Sequence, residues 1–426
     1  MGLVKKTSVD QYWSTNKVLQ TPFLGEVMSR TRFQQHQSCL HLVDNTKVAR
    51  TDDGKLVDKL AKVRPLLDSF VKSSSRHFSP GRELSIDEMM IGTKCRLGFI
   101  QYMKDKPVKW GIKVWALCDA KVHYCLDFEV YTGGTGETGM TFNVVNRLMR
   151  QYLEKGHRLY IDNFYTSPEL LVHLLAYHTL AVGTVRSNRK HMPARLKPTI
   201  TDVEVGQTRF LQSHGVTVSR WKDKRDVFVA STVHGKSLTE VTRRAKKDGR
   251  YQVEVVQKPT AVCDYNANMI GVDVFDQMLA YRDIVRRYMR WWLNVFWRLI
   301  DIAILNAFAL WKLKHYPEPA ARPHSKHLHM QFRLALAQSL VRAQVEERGG
   351  VHQAPRNQRT NPLKHHCCPT KFETAKQCVV CNKVSSKTFY GCSLCDEQVR
   401  VHPNTKCAFF LHTSAQPREA FAADNR

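Results

Sequence analysis

The arrangement of apolar residues after residue 80 constrains the fold of this chain more than any other feature. A turn signal, Ser79-Pro80-Gly81, separates a region of helical spacing from three segments rich in Val, Ile, Leu and aromatic residues. The segments read LSIDEMMI (84–91), KWGIKVWALCDA (109–120) and YCLDFEVYTGG (124–134). Their composition is typical of β-strands, and their succession predicts a three-stranded antiparallel meander.

Helical and strand patterns alternate from there to residue 185. Apolar spacing predicts a helix at 143–153, a strand at 158–162, a second helix at 168–178 and a strand at 180–185. The predicted order β-β-β-α-β-α-β has antiparallel strands first and crossover helices after them. This is the element order of an α/β core of the RNase H-like type.

Further helices and a strand-rich segment flank or interrupt this core. Helical spacing occurs at 21–44 and 56–71 and returns at 268–315 and 329–346, while 189–258 is basic with short alternating runs. The predicted organisation is a helical segment (1–80), the core (81–188), a β-rich insertion (189–258), a return to the core (259–280), a second helical segment (281–346), a polar linker (347–377) and a cysteine-rich module (378–412).

The charge balance predicts a polyanionic partner. Lysine and arginine outnumber aspartate and glutamate 65 to 38, a formal net charge of +27. Basic residues also stand beside aromatic ones, as in RRYMRWW (286–292), and this combination favours nucleic acid over a membrane surface. The most apolar stretch, 291–313, is interrupted at helical spacing by four polar residues, which predicts a buried core helix and no membrane partner; they are Asn294, Arg298, Asp301 and Asn306.

Four aspartates occupy positions where carboxylates can gather. Asp87 lies inside the first strand pattern and Asp162 ends the fourth, while Asp273 and Asp276 are three residues apart, which puts both on one face of a helix. Phosphodiester cleavage uses hard cations held by carboxylates, and two Mg²⁺ ions can activate the nucleophile and stabilise the leaving oxygen. Spacing alone favours the simpler interpretation of each residue as a cap, a turn or a surface charge.

Several blocks along the chain resemble successive motifs of piggyBac-type transposases. They are STNKVLQTPFLGEVMSRTRF (14–33), SIDE after a PGRE turn (80–88), QYMKDKPVKWGIKVW (101–115), IDNFYTSPELL (161–171), VGTVRSN (182–188), and MIGVDVFDQMLAYR followed by RRYMRWW (269–292). The resemblance implies an RNase H-like catalytic domain, a β insertion, and a flanking helical domain for dimerisation and DNA binding. It also implies that Asp87, Asp162 and Asp273 are the Mg²⁺-binding catalytic triad and that Asp276 is an additional acidic residue.

The resemblance further implies what such a protein would do. It implies a nuclear homodimer that cuts double-stranded DNA at transposon ends and joins them to TTAA target sites, with hairpin intermediates. Two departures leave room for a domesticated, catalytically silent DNA- or chromatin-binding protein: the chain starts almost directly at the helical segment, and Ile270 replaces the first glycine of a Gly-Gly-Val-Asp block, where it could perturb the local turn. A ubiquitin ligase is a weaker alternative, because it leaves the aspartate blocks unexplained.

The cysteines near the end of the chain predict zinc. Cys378-x2-Cys381 and Cys392-x2-Cys395 are paired as in tetrahedral zinc sites, and His402, Cys407 and His412 follow at usable spacing. Seven ligand candidates suggest two zinc ions, and a simple ribbon using the four paired cysteines is the alternative. The cysteines resemble the cross-brace module of the same family, in which Cys367 would be the eighth ligand.

Overall fold

A computed structural model describes residues 2–134, 139–199, 202–247, 250–284, 288–318, 325–349, 369–377 and 387–392 of the chain. The protein divides into two compact units, Met1–Ser339 and Leu340–Arg426. The helices are α1 (Pro22–Val27), α2 (Arg30–Cys39), α3 (Arg64–His77), α4 (Met140–Met149), α5 (Pro168–Ala176), α6 (Thr260–Asn268), α7 (Gly271–Tyr281), α8 (Trp291–His315) and α9 (Ser325–Gly349).

The strands of the first unit run from β1 to β11. They are β1 (Glu83–Gly92), β2 (Ile100–Tyr102), β3 (Trp110–Asp119), β4 (Cys125–Val130), β5 (Arg158–Ile161), β6 (Leu180–Thr184), β7 (Thr208–Ser213), β8 (Val216–Lys222), β9 (Asp226–Ser231), β10 (Leu238–Lys247) and β11 (Arg250–Pro259). The predicted succession of strands and helices from residue 84 to 185 is confirmed, with one addition. The extra strand, β2, has only 3 residues, too few for a periodic pattern to reveal it.

The fold of the first unit is mixed α/β, built on one sheet of nine strands. Eight strands follow the order β2-β3-β1-β5-β6-β9-β8-β7, and β4 pairs with β3. β1 is antiparallel to β3 on one side and parallel to β5 on the other, and β5 is parallel to β6. Of the strands in the segment 189–258, β7, β8 and β9 continue this sheet, whereas β10 and β11 form a hairpin of their own.

Two hydrophobic clusters cover the two faces of the sheet. The first joins Leu84 and Ile86 of β1 to buried residues of α4 and α5. The second joins Met89 and Ile91 of β1 to buried residues of α3, α7 and α8. Since successive side chains of a strand point to opposite faces, β1 contributes to both clusters and lies at the centre of the unit.

Helix α8 is long and apolar enough to cross a membrane by length and composition, yet most of its apolar window is buried inside the protein. Its polar residues are buried too, and three of them bond to other parts of the chain: Asn294, whose amide donates to the Thr93 hydroxyl at 3.2 Å, Asn306 and Asp301. Asn306 exchanges hydrogen bonds of 2.9 and 2.8 Å with the backbone of Cys125, and Asp301 accepts one of 2.9 Å from Arg333. The prediction of a core helix is therefore confirmed.

The described part of the second unit contains one antiparallel hairpin besides the end of α9. Its strands are β12 (Pro369–Gln377) and β13 (Lys387–Cys392). Cys392 is the last residue of β13. The other predicted zinc ligands lie outside the described residues: Cys367, Cys378, Cys381, Cys395, His402, Cys407 and His412.

Candidate active site

Asp87 lies in the middle of β1, where the sheet leaves only 9% of the residue exposed. One carboxylate oxygen accepts a hydrogen bond of 2.8 Å from the backbone N–H of Glu88. Burial, followed by a hydrogen bond with the Glu88 carboxyl group, raises the pKa of Asp87 to about 8. An acid in such surroundings is costly to ionise unless a cation lies beside it.

Asp162 reaches the same place through the parallel pairing of β1 with β5. The register joins Ile86 to Ile161, and the next residues along the two strands are Asp87 and Asp162. Neighbouring strands lie about 4.8 Å apart, so the two aspartates are side by side where the pairing ends. Asp162 also has the structural role of a turn residue, which its spacing in the sequence favoured. Its carboxylate accepts a hydrogen bond of 2.8 Å from the Phe164 N–H in the turn that follows.

Asp273 belongs to α7, which packs directly on β1. A Cβ atom at Gly271 would come within 2.3 Å of the Ser85 Oγ and 2.9 Å of the Ala120 Cα, so only glycine permits this approach. Ile270, in contrast, has φ −70° and is 48% exposed. The expectation that its branched side chain perturbs the turn is wrong, since this backbone conformation suits any residue.

Asp276 faces a different environment from Asp273, although α7 carries both. The Asp273 side chain is 62% exposed, whereas Asp276 lines the interior with Met89 and Arg298. Burial raises the pKa of Asp276, and the positive charge of Arg298 acts against that increase. Asp276 therefore supports the packing between α7 and α8.

Lys106 links the first and third aspartates. It lies in the loop 103–109 between β2 and β3, and its Nζ is 3.8 Å from the Asp87 carboxylate and 3.3 Å from that of Asp273. Only 21% of its side chain is exposed. The sequence gives no sign of Lys106 as a site residue, because nothing distinguishes it from the other lysines of the same loop before the fold brings these segments together.

Glu88 was also missed, although it stands beside Asp87 in the sequence. Its carboxylate accepts hydrogen bonds of 3.1 Å from Lys113 and 2.8 Å from the Tyr165 hydroxyl. Burial acts to raise its pKa, but the hydrogen bond with Asp87 and the charge of Lys113 outweigh burial, and the pKa of Glu88 is lowered. Glu88 is therefore the ionised partner in the pair that it forms with Asp87.

Tyr265 of α6 is a common neighbour of the three aspartates. Burial raises its pKa to about 12, and the negative charges of Asp162, Asp87 and Asp273 add to the effect. Burial likewise raises the pKa of Asp162. Three acids from β1, the end of β5 and α7 thus share one electrostatic environment.

The donors present suit a hard cation. Within the described ranges, no group of three or more His, Cys, Asp or Glu side chains is close enough to hold a metal ion. Carboxylates of Asp87 and Asp273 nevertheless converge on a single positive charge, the Lys106 ammonium. Oxygen donors that already gather around a cation fit Mg²⁺, which prefers such ligands.

Comparison with known proteins agrees with this architecture. The profile of a family described as Transposase IS4 matches residues 1–308. A solved structure, a piggyBac transposase synaptic complex with hairpin DNA, superimposes with a TM-score of 0.69 at 26% identity, over 84% of this chain and 71% of that one.

Curated human relatives give the same result. PiggyBac transposable element-derived protein 3 is 25% identical over 430 residues, which cover 97% of this chain and 68% of the relative. PiggyBac transposable element-derived protein 2 is 25% identical over 313 residues, 71% of this chain and 52% of the relative. A chimeric ERCC6-PGBD3 protein also matches at 25% over 97% of this chain, which spans 38% of that protein. The chain belongs to the piggyBac-type transposase family.

Proposed function

We propose that the protein is a DNA transposase that cuts and joins strands at transposon ends with Asp87, Asp162 and Asp273 as its catalytic acids. The observation that carries this proposal is that Asp87 has one acid beside it in the strand register and shares a cation with another, although the three come from distant parts of the chain. The strand register puts Asp87 beside Asp162, and Lys106 contacts both Asp87 and Asp273. Acids placed separately on the surface would not share a cation.

The strand arrangement supports an RNase H-like core for this site. The five strands β4-β3-β1-β5-β6 are adjacent in that order, antiparallel up to β1 and parallel from β1 to β6. Ligands of open α/β sheets bind at the carboxyl ends of the parallel strands. Asp162 lies at such an end, directly after β5.

Three of the acids share one task in the proposed reaction, and the fourth has a different one. Asp87, Asp162 and Asp273 would hold two Mg²⁺ ions, which supply activation of the nucleophile and stabilisation of the leaving 3′ oxygen. The backbone N–H of Phe164 fixes the Asp162 carboxylate, and Gly271 brings α7 close enough for Asp273 to reach β1. Asp276 acts through the packing of α7 and so positions Asp273.

Double-stranded DNA is the proposed partner. The net charge of +27 favours a polyanion, and the name of the similar solved complex includes hairpin DNA. Binding should weaken steeply between low and physiological salt, since lysine and arginine contacts release counterions. A homodimer, TTAA target sites and a nuclear location complete the proposal on the strength of the family resemblance.

A catalytically silent DNA- or chromatin-binding protein is the second candidate. Two similar human proteins are named as element-derived, which favours descent from a transposase without fixing its present activity. Asp162→Asn and Asp273→Asn separate the candidates in a Mg²⁺-dependent assay that joins a labelled 3′-hydroxyl oligonucleotide to plasmid DNA. The proposed enzyme loses joining in both variants while retaining DNA affinity, whereas a silent protein shows no joining even in the unmodified chain.

Asp127→Asn is a matched control for that assay. Asp127 belongs to β4, and burial raises its pKa to about 6, but it lines a separate cleft with Arg64 and Arg147. Joining by this variant should equal that of the unmodified protein. Equal joining by Asp273→Asn would contradict the assigned triad.

The proposed zinc module rests on the sequence and on one structural feature. The hairpin β12–β13 ends next to predicted ligands, since Cys378 follows β12 and Cys392 closes β13. We expect two zinc ions per chain, bound by Cys378, Cys381, Cys392, Cys395, His402, Cys407, His412 and Cys367. Metal analysis of the full chain and of Cys381→Ser tests this: one zinc ion would support a simple ribbon, and unchanged zinc in the variant would exclude Cys381 as a ligand.

A further inference from the structure

We infer that Lys106 is an internal counter-ion of the aspartate site, which holds Asp87 and Asp273 together in the metal-free protein and must be displaced when a divalent cation binds. The inference rests on the proposed function, because it assigns a role at the same site. It concerns a residue that no sequence motif singled out.

The position of Lys106 differs from that of its neighbours. Lys104 and Lys109 lie in the same loop and are exposed, whereas Lys106 is directed inward to two carboxylates. A second lysine, Lys113, is already hydrogen-bonded to Glu88 at 3.1 Å. Of the lysines in the described part of the chain, Lys106 is therefore the one that neutralises Asp87 and Asp273.

The site needs this positive charge when no metal is bound. Asp87 is buried beside Glu88 and next to Asp162 in the strand register, and burial makes ionisation of an acid in this group costly. The ammonium group of Lys106 favours the ionised form of the acids that it contacts. It also adds a polar link between β1 and α7, which pack through apolar side chains and the close approach at Gly271.

The contacts of Lys106 are loose enough to be exchanged. Its N···O distances of 3.3 and 3.8 Å exceed the roughly 2.7–2.9 Å of strong charge-assisted hydrogen bonds. Mg²⁺ approaches carboxylate oxygens to about 2.0–2.1 Å, so a divalent cation bound between these two oxygens would take the position of the ammonium group, and the two positive charges would repel each other. Lys106 has a flexible stem and belongs to a loop, which allows it to withdraw.

Replacing Lys106 tests the inference without measuring catalysis. Binding of Mn²⁺ to the full chain, followed by the electron paramagnetic resonance signal of the free ion, should become at least about tenfold tighter in Lys106→Met, because one competing positive charge has been removed. Lys106→Arg keeps the charge and should bind Mn²⁺ as the unmodified protein does. Lys109→Met, which removes an exposed charge from the same loop, should change affinity less than twofold by the same reasoning.

Thermal stability should change in the opposite direction to Mn²⁺ affinity. Without metal, Lys106→Met should unfold at a lower temperature than the unmodified protein, and saturating Mn²⁺ should abolish most of that difference. Unchanged or weaker Mn²⁺ binding by folded Lys106→Met would overturn the inference. Asp273→Asn tests the proposed metal site separately from the role of Lys106. If this variant binds Mn²⁺ as the unmodified chain does, the proposed metal site is wrong and the inference is overturned with it.

A measurement on the unmodified protein covers the case in which Lys106→Met does not fold. Acylation of individual lysines by an amine-reactive reagent can be followed by mass spectrometry with and without Mn²⁺. Lys106 should react several-fold faster once metal displaces it, while Lys113 should keep its rate because Glu88 still holds it. Equal or slower acylation of Lys106 with Mn²⁺ would contradict displacement.

Discussion

Asp87 and Glu88 are consecutive residues of β1, yet their surroundings differ in a way that separates the acid that we propose to be functional from one with a structural role. Glu88 is ionised and enclosed: Lys113 lies 3.1 Å away and Tyr165 2.8 Å away. The Lys113 ammonium is itself held 4.5 Å from the centre of the Phe164 ring. Among the described residues, Asp87 has one cationic contact, at 3.8 Å, from a loop lysine.

The difference lies in which elements supply the partners. Lys113 comes from β3, paired along its length with β1, so its position is fixed by the sheet. Lys106 comes from a loop and divides its charge between two acids. A buried acid with complete, rigid compensation stabilises a fold, whereas one with incomplete, movable compensation can accept a ligand.

The largest expected effect comes from Asp87→Asn. Loss of the carboxylate that binds the cation should reduce Mg²⁺-dependent strand joining by about a thousandfold or more, while the thermal stability of the metal-free protein should not fall, because the neutral amide replaces an acid whose charged form burial disfavours. Joining rates and thermal unfolding, measured on the same preparation, test this. Loss of stability without loss of joining would reverse the proposed distinction between the two acids.

Glu88→Gln should show the reverse pattern. The amide leaves the Lys113 ammonium buried without its counter-charge, which should lower the free energy of unfolding by about 3 kcal/mol. Urea unfolding measures this loss, and the paired variant Lys113→Met with Glu88→Gln should recover part of it. If Glu88→Gln is as stable as the unmodified protein, the pair with Lys113 does not stabilise the fold.

The pH dependence of stability should distinguish the two acids further. The pKa of Asp87 is raised to about 8 in the folded protein, whereas its pKa in the unfolded chain is near 4. The contribution of Asp87 to the free energy of unfolding is therefore complete below about pH 4 and is lost as pH rises towards about 8. Metal-free protein should therefore unfold at progressively lower temperature over that range. Asp87→Asn should flatten this slope, and a slope that stays unchanged would show that another group causes it.

Asp276→Asn should have the smallest effect. The Asp276 side chain lines a small interior cavity with Arg298, so strand joining should fall less than about tenfold, through altered placement of Asp273. Mn²⁺ affinity should remain within about twofold of normal. A loss of joining equal to that of Asp273→Asn would place Asp276 among the cation ligands.

Sequence patterns predicted much of the core because its elements are regular. The strands and helices between residues 84 and 185 have clear periods, and α8 shows its polar residues at helical spacing. Sequence could not reveal the strand register that joins Ile86 to Ile161, because parallel pairing depends on the whole sheet. It also could not separate Lys106 from Lys104 and Lys109, since a lysine acquires its partner only when loop, strand and helix meet.

The continuation of the sheet by β7, β8 and β9 escaped prediction for a similar reason. Their alternating patterns indicate strands, but the edge to which they add is set by the position of β6. Asp276 illustrates the limit at the level of one side chain. Helical spacing put it on a face with Asp273, and only the packing of α8 made that position interior.

The wide separation of the acids along the chain has a consequence for how the protein is made. Asp87 and Asp162 enter a growing polypeptide early, whereas α7, with Asp273, is synthesised only after the strands from β7 to β11. At roughly 5–20 residues per second, the ribosome needs on the order of ten seconds or more to pass from β1 to α7. A nascent chain therefore has no complete set of acids, and any capacity to cut DNA arises only after most of the protein has been translated.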